Sequence, residues 1–188
     1  MATVKKNIIT QGLSGTLGGT IVFRQVGDRT IVSTPPAPNS NPPTAKQLAA
    51  RQRFQEASVY AKAQLQDPDL KAEYAAIGET RRMSAYAVAV ADFLKGPDIQ
   101  EIDLSDYSGD PGDIIRVRVT DGFRVDAVRV IITNGDGSQV EAGNAVQQQN
   151  AVDWVYTATA SNPNLAGDKI TVQALDLPGN RSLKERTL

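Results

Sequence analysis

Residues 11–43 read QGLSGTLGGTIVFRQVGDRTIVSTPPAPNSNPP and contain two β-strand patterns followed by a proline-rich stretch. Residues 21–26 and 29–34 are rich in β-branched side chains, and they flank Gly27-Asp28, a dipeptide typical of a two-residue hairpin turn. An isolated two-stranded hairpin is marginally stable in water. The hairpin is therefore expected to need cover from another part of this chain or from another copy.

The predicted register places apolar side chains on both faces of this hairpin. Phe23 lies opposite Val32 in that register, and alternate side chains of each strand point to opposite faces of the hairpin. The apolar residues therefore divide into two sets, one on each face. We predict that both sets form an assembly interface: Ile21, Phe23 and Val32 on one face, and Val22, Val26 and Ile31 on the other.

A proline-rich arm separates the hairpin from the rest of the chain. Residues 35–43 contain five prolines, which disfavour helix and sheet and favour extended polyproline geometry. At ~3.1 Å per residue the arm would span roughly 28 Å. Upstream, residues 7–10 predict a third short strand, and the glycines at positions 12–19 allow tight bends.

Three helices are predicted after the arm, over residues 44–65, 67–78 and 84–95. Thr44 with Gln47 matches a capping box, and Asp67 precedes a proline at the first helical position. Gly78 is expected to end the second helix. The third helix should be the most buried, and the first should bury a stripe of Phe54, Ala57, Ala61 and Leu65.

From residue 98 the apolar period changes to two, as expected for β-strands. Trp154 is expected to fill the core between the sheets. Seven short strands with frequent turn signals are typical of an immunoglobulin-like β-sandwich: 99–107, 114–120, 125–133, 139–145, 154–160, 170–175 and 182–187. The predicted class is therefore α+β, with a hairpin arm at 1–43, a helical segment at 44–97 and the sandwich at 98–188.

Three segments together resemble an uncharacterised family of bacterial hypothetical proteins. They are the glycine-rich hairpin, PPTAKQLAARQRFQEASVYAKAQLQDPDLKAEY, and PDIQEIDLSDYSGDPGD with ITVQALDLPGN. The resemblance spans nearly the whole chain and implies one integrated unit with an immunoglobulin-like end. It implies no catalytic residue. ALDLPGN is also similar to the last strands of bacterial surface immunoglobulin-like modules.

The composition excludes several classes of enzyme. The chain has no histidine and no cysteine, which excludes serine triads, Cys–His dyads and thiolate metal sites. No phosphate-binding glycine motif stands between a strand and a helix. We therefore predict a protein that is not an enzyme and that uses no cofactor.

No apolar run is long enough to cross a membrane, so we predict no membrane insertion. Because no signal peptide is recognised, a cytoplasmic location is the default, with export by a non-classical route as the alternative.

The acidic turns are candidate calcium ligands. The loops that hold Asp121 with Asp126 and Asp176 with Asn180 fall at one end of the predicted sandwich. A second group, Asp106, Asp110 and Asp113, falls at the other end. Calcium takes six to eight oxygen ligands, and Asp or Asn before Gly is an ordinary turn former. The sequence therefore predicts no metal site.

Charge is unevenly distributed along the chain. Residues 1–97 carry 12 Lys+Arg and 7 Asp+Glu, a net +5, whereas residues 98–188 carry 8 and 14, a net −6. No recognition helix or aromatic stacking platform accompanies the basic residues, so we predict no nucleic-acid binding. Complementary charge favours a head-to-tail contact between copies.

We predict a structural subunit that polymerises with itself through the N-terminal hairpin, as a filament or fibre. Two alternatives remain open. One is a monomeric adhesion or ligand-binding immunoglobulin-like module, and the other is a component of a phage-like particle that clamps its neighbours with the same arm.

Overall fold

The computed structural model describes residues 2–5, 8–10, 12–26, 29–37 and 41–188. These residues form three helices and three four-stranded antiparallel sheets, which confirms the mixed α+β class. The chain divides into two compact units, residues 1–44 and 45–188. The helices and the last two sheets therefore belong to the same unit.

The first unit contains a four-stranded sheet, here called the N-terminal sheet. The predicted hairpin is present with the expected register, in which Phe23 pairs with Val32. The turn at Gly27-Asp28 lies outside the described residues. The strand order is β1-β4-β3-β2, with β1 at Ala2–Lys5, β2 at Gly15–Leu17, β3 at Ile21–Val26 and β4 at Arg29–Ser33.

Two strands of this sheet differ from the sequence-based expectation. The strand predicted at residues 7–10 is wrong for residues 8–10, which form a turn, and Asn7 lies outside the described residues. Strand β1 pairs instead with β4, and the glycine-rich segment supplies β2. Gly18 and Gly19 have φ of +59° and +65°, which lets them turn the chain from β2 into β3. Glycine is disfavoured within strands, so its presence concealed β2.

Three helices begin the second unit, and the N-cap predicted at Asp67 is present. The Asp67 carboxylate accepts hydrogen bonds from the backbone N–H groups of Asp69 and Leu70, and Ser84 caps the third helix. The third helix is the most buried of the three, as expected. Within the described residues no helix is long and apolar enough to cross a membrane. The bounds are α1 at Ala45–Gln64, α2 at Pro68–Arg81 and α3 at Ala85–Leu94.

Two details of the helices differ from the prediction. Phe54 is 53% exposed, so the buried stripe of α1 is limited to Ala57 and Ala61. Helix α2 continues past Gly78 to Arg81, and the C-cap residue Arg82 has the left-handed φ of 56°. Gly78 is required by packing instead of by a cap, because an added Cβ would lie 2.5 Å from the carbonyl oxygen of Met83.

Residues 98–188, here called the two-sheet module, form two four-stranded sheets of order β5-β6-β10-β9 and β12-β11-β7-β8. The inward residues of both sheets form one hydrophobic cluster, which includes Trp154. Six of the seven predicted strands agree closely; the strand predicted at 154–160 ends at residue 157, and β9 was not predicted. The strands are β5 (Asp98–Asp106), β6 (Ile114–Thr120), β7 (Val125–Thr133), β8 (Gln139–Asn144), β9 (Val146–Gln147), β10 (Asp153–Thr157), β11 (Lys169–Asp176) and β12 (Arg181–Thr187).

A second hydrophobic cluster joins the helices to the two-sheet module. Its centre is Tyr74 of α2, which is fully buried, together with small and β-branched residues of α1 and α3. Phe123, from the loop between β6 and β7, stacks on the Tyr74 ring with centroids 4.1 Å apart. This contact brings the acidic loops of the module next to the helices.

Candidate functional sites

The predicted interface residues lie on the two central strands of the N-terminal sheet. Pairing of Phe23 with Val32 places them in two alternating sets, as the sequence predicted. Ile21 and Val26 are 39% and 42% exposed, while the other four are half-buried: Val22, Phe23, Ile31 and Val32. Their role in assembly stays a prediction.

The buried centre of this sheet is polar. Thr30 is the one buried residue among those of the first unit whose burial is described. The Gln25 side-chain amide donates to the Thr30 hydroxyl at 2.8 Å and to the Leu13 carbonyl at 3.0 Å. The Thr30 hydroxyl in turn donates to the carbonyl of Thr10 at 3.0 Å. Among the residues whose burial is described, the sheet therefore buries one hydrogen-bonded polar side chain and no hydrophobic side chain.

The edges of the N-terminal sheet are a second notable feature. Strands β1 and β2 are its outer strands, and each pairs on one side only within the described residues. An outer strand presents a row of backbone donors and acceptors that can pair with another chain. Residues 1–44 carry four Lys+Arg and one Asp, a net +3. The sheet thus offers strand edges and apolar side chains within a basic segment.

A different feature, the carboxylate cluster, consists of Asp92, Asp121 and Asp176. Asp92 belongs to α3, Asp121 to the loop after β6, and Asp176 is the last residue of β11. One carboxylate oxygen from each residue lies within 4.8 Å of the others. Asp92 and Asp176 are 3% and 1% exposed. Three negative side chains therefore meet where the helices join the two-sheet module.

Hydrogen bonds hold each carboxylate in place. The Tyr74 hydroxyl donates to Asp92 Oδ2 at 2.8 Å, and the Phe123 backbone N–H donates to Asp121 Oδ2 at 3.1 Å. Asp176 accepts from the backbone N–H of Asn180 at 2.6 Å and from its side-chain amide at 2.8 Å. In the described part of the protein, Oδ1 of Asp92 and Oδ1 of Asp121 have no hydrogen-bond partner.

Burial changes the proton affinity of the cluster. Desolvation raises the pKa of Asp92 to about 7, with a smaller increase from the negative charges of Asp121 and Asp176, while the hydrogen bond from Tyr74 lowers it. Burial likewise raises the pKa of Asp176, against the hydrogen bonds from Asn180. Two buried carboxylates beside a half-buried third are costly when all are charged, so the cluster favours a bound proton or cation.

A cavity of about 390 Å³ reaches this cluster. Asp92 and Asp121 line it, together with Gln100 and Thr120 of the module and Lys95 at the end of α3. Water and small ions therefore have a route to the two carboxylates with unpartnered oxygens.

The sequence located part of this cluster. Asp121 and Asp176 do lie at the same end of the module, as predicted, whereas Asp126 is exposed on β7 and outside the cluster. Asn180 supports Asp176 through hydrogen bonds. Asp92 was missed, although a single acidic residue within the apolar run AYAVAVADFL is an available signal.

The acidic residues at the opposite end are engaged in turns and ion pairs. Asp113 accepts hydrogen bonds from the Ser108 hydroxyl and from the backbone N–H groups of Ser108 and Asp110. Asp106 forms an ion pair with Arg116. These contacts fit the turn-forming role predicted for this group.

Comparison with known proteins adds little to this geometry. No protein-family profile matches the chain, and no curated protein matches it. A crystal structure of an engineered protein from the Northeast Structural Genomics Consortium aligns with 47% of this chain at 21% identity and a TM-score of 0.34. The aligned part of the chain covers 19% of that protein.

Proposed function

We propose that this protein is a structural, non-enzymatic subunit that assembles with itself head-to-tail through the N-terminal sheet. The observation that carries the proposal is the lack of any buried hydrophobic side chain among the residues of that sheet whose burial is described. Apolar burial is the main driving force of folding, so a sheet without it needs another surface. Its outer strands β1 and β2 provide the backbone groups for strand addition.

The partner we propose is a second copy of this chain, on grounds of charge. Residues 1–44 have a net charge of +3, whereas residues 45–188 carry 16 Lys+Arg and 20 Asp+Glu, a net −4. The loops at 107–113, 134–138 and 158–168 contain four Asp and no Lys or Arg. Antiparallel pairing puts these loops at one end of the two-sheet module. A basic sheet meeting this acidic end gives a head-to-tail contact, since opposite charges steer and orient association.

We further propose that the two-sheet module is an immunoglobulin-like sandwich. Strands β5, β6 and β10 are neighbours in one sheet, and they are the first, second and sixth strands of the module. Strands β11, β7 and β8 are neighbours in the other sheet, and they are its seventh, third and fourth strands. This arrangement corresponds to the A-B-E and F-C neighbours of immunoglobulin-like domains. In the assembly, such a module would be the rigid body that carries both the acidic end and the helices.

Phe23→Asp tests the proposal, with Phe54→Asp as the matched control. Phe23 is half-buried in the N-terminal sheet, whereas Phe54 is an exposed phenylalanine of α1. We expect the unmodified protein to elute as large species and to form filaments in negative-stain images. Phe23→Asp should leave monomers, because it buries an unpartnered charge at the contact. Loss of a buried phenylalanine contact alone costs about 3–5 kcal/mol, or over a hundredfold in affinity.

Several results would contradict this function. A full-length protein that stays monomeric at high concentration removes the basis for assembly. Equal loss of assembly in both variants would place the contact elsewhere than the N-terminal sheet. Filaments that survive Phe23→Asp but dissolve at about 1 M salt would mean that charge alone makes the contact.

A further inference from the structure

We propose that Asp92, Asp121 and Asp176 bind one calcium ion, and that this ion fastens helix α3 to the two-sheet module. The proposal is independent of self-assembly, because all three residues belong to the second unit.

The spacing of the carboxylates suits calcium. Calcium binds oxygen at about 2.3–2.6 Å, so two ligands of one ion lie up to about 4.8 Å apart. The three Asp oxygens fall within 4.8 Å of one another. Magnesium keeps several waters and is usually held by one or two carboxylates, so a set of three carboxylates favours calcium. All three protein ligands are carboxylate oxygens, and the chain has no cysteine or histidine, which disfavours softer metals.

Apart from the clustering of the three acidic residues, two of their carboxylate oxygens lack a hydrogen-bond partner within the described residues. Asp92 is 97% buried, yet its Oδ1 accepts no hydrogen bond within the described residues, and the same holds for Asp121 Oδ1. A buried carboxylate oxygen is normally hydrogen-bonded. None of the four ion pairs among the described residues includes a member of this cluster. A cation is the partner that would satisfy both oxygens at once.

The remaining calcium ligands would be water. The 390 Å³ cavity reaches Asp92 and Asp121, and it is also lined by the polar side chains of Gln100 and Thr120. Arg81 and Lys95 line the same cavity, but the Arg81 guanidinium donates to the Gly122 carbonyl at 2.9 Å. Three carboxylates with several waters give the six to eight oxygens that calcium takes.

The consequence is a link between elements far apart in sequence. The ligands come from α3, from the loop between β6 and β7, and from the end of β11. Direct contacts already join these elements, since the Asn180 amide donates to the carbonyls of Asp92 and Phe93. Calcium would add to these contacts, and it should therefore stabilise the second unit against unfolding.

The test uses full-length protein and CaCl₂ as the probe. Thermal unfolding is measured near pH 7.5 in EDTA, in about 10 mM CaCl₂ and in about 10 mM MgCl₂, concentrations above the dissociation constants of weak calcium sites. Titration calorimetry of the EDTA-treated protein gives the affinity directly. At a calcium concentration about a hundred times the dissociation constant, the unfolding midpoint should rise by about 5–10 °C. Magnesium should give a clearly smaller rise.

Asp121→Asn is the principal variant, and Asp126→Asn is its matched control. Both remove one charge at the same end of the module, but Asp126 is exposed and outside the cluster. Asp121→Asn should lower calcium affinity at least about tenfold, whereas Asp126→Asn should bind as the unmodified protein does. Asp92→Asn is a second variant that should also lose the calcium response, and its folding is checked independently by circular dichroism.

Three outcomes would overturn the proposal. The first is no rise of the midpoint and no binding heat with calcium in the unmodified protein. The second is an equal calcium response in folded Asp121→Asn or Asp92→Asn, which would mean that any site lies elsewhere. The third is an equal response to magnesium, which would contradict the assignment to calcium.

Discussion

Tyr74→Phe is the substitution that most directly tests how the carboxylate cluster is held. Tyr74 is fully buried, and its hydroxyl donates to Asp92 Oδ2 at 2.8 Å. The hydroxyl oxygen of Tyr60 lies 3.3 Å from the hydroxyl oxygen of Tyr74. Phenylalanine keeps the ring that stacks on Phe123, so packing is preserved while the donor is removed. Asp92 would then lose its hydrogen bond from Tyr74 inside the protein.

The expected cost follows from the charge of the acceptor. A hydrogen bond to a charged group contributes about 1.5–3 kcal/mol, and an acceptor left buried without a partner is the main part of that cost. For a protein of this size, each kcal/mol corresponds to about 2–4 °C in the unfolding midpoint. Tyr74→Phe should therefore lower the midpoint by roughly 3–12 °C in EDTA at about pH 8, where Asp92 with its pKa of about 7 is largely charged. Tyr60→Phe is the control and should cost about 0.5–1.5 kcal/mol, because it removes only a longer, neutral hydrogen bond.

Measuring Tyr74→Phe also in Asp92→Ala protein makes the test specific to the hydrogen bond between Tyr74 and Asp92. In Asp92→Ala protein the acceptor is gone, so Tyr74→Phe should cost clearly less than it does in the unmodified protein. Urea denaturation of the four proteins gives the coupling free energy between the two side chains. The same cost in both backgrounds would refute the reasoning, because it would show that the Tyr74 hydroxyl stabilises the protein without Asp92.

Two further substitutions test backbone geometry in the second unit. Gly109→Ala should destabilise the two-sheet module by more than about 2 kcal/mol in urea denaturation. The reason is that Gly109 has φ of +95° and an added Cβ would lie 2.1 Å from the Asn162 carbonyl oxygen. A measured cost below about 1 kcal/mol would contradict this prediction. Arg82→Gly should stabilise the protein by about 1 kcal/mol, because Arg82 has the left-handed φ of 56° at the end of α2, where glycine is favoured. A lower thermal midpoint for Arg82→Gly would show that its side chain contributes more than the backbone strain costs.

The sequence alone determined the elements whose signals are local. The bounds of α1 and α3 follow from helical periodicity and the proline-rich or serine-containing segments before them, and α2 begins after the Asp67 cap. The pairing of Phe23 with Val32 follows from two β-branched runs separated by two turn residues. Such patterns are readable because residues within a few positions of each other decide them.

The tertiary structure decided what depends on distant neighbours. Strand β2 exists because the glycine-rich segment pairs with β3, although glycine alone predicts a loop. The sequence indicates Gly78 only as the end of a helix. In the structure, glycine is needed at this position because the Met83 carbonyl lies too close to leave room for a side chain. Each depends on which atoms meet in space, and local propensity carries no information on that.

The carboxylate cluster is the clearest case. The positions of Asp121 and Asp176 at strand ends could be predicted from the order of the strands, since antiparallel strands bring alternate loops to the same end. Asp92 joins them only because α3 packs beside those loops, with Tyr74 and Phe123 stacked at the junction. Sequence patterns describe burial one element at a time, whereas this cluster forms where three elements bury their polar residues against one another.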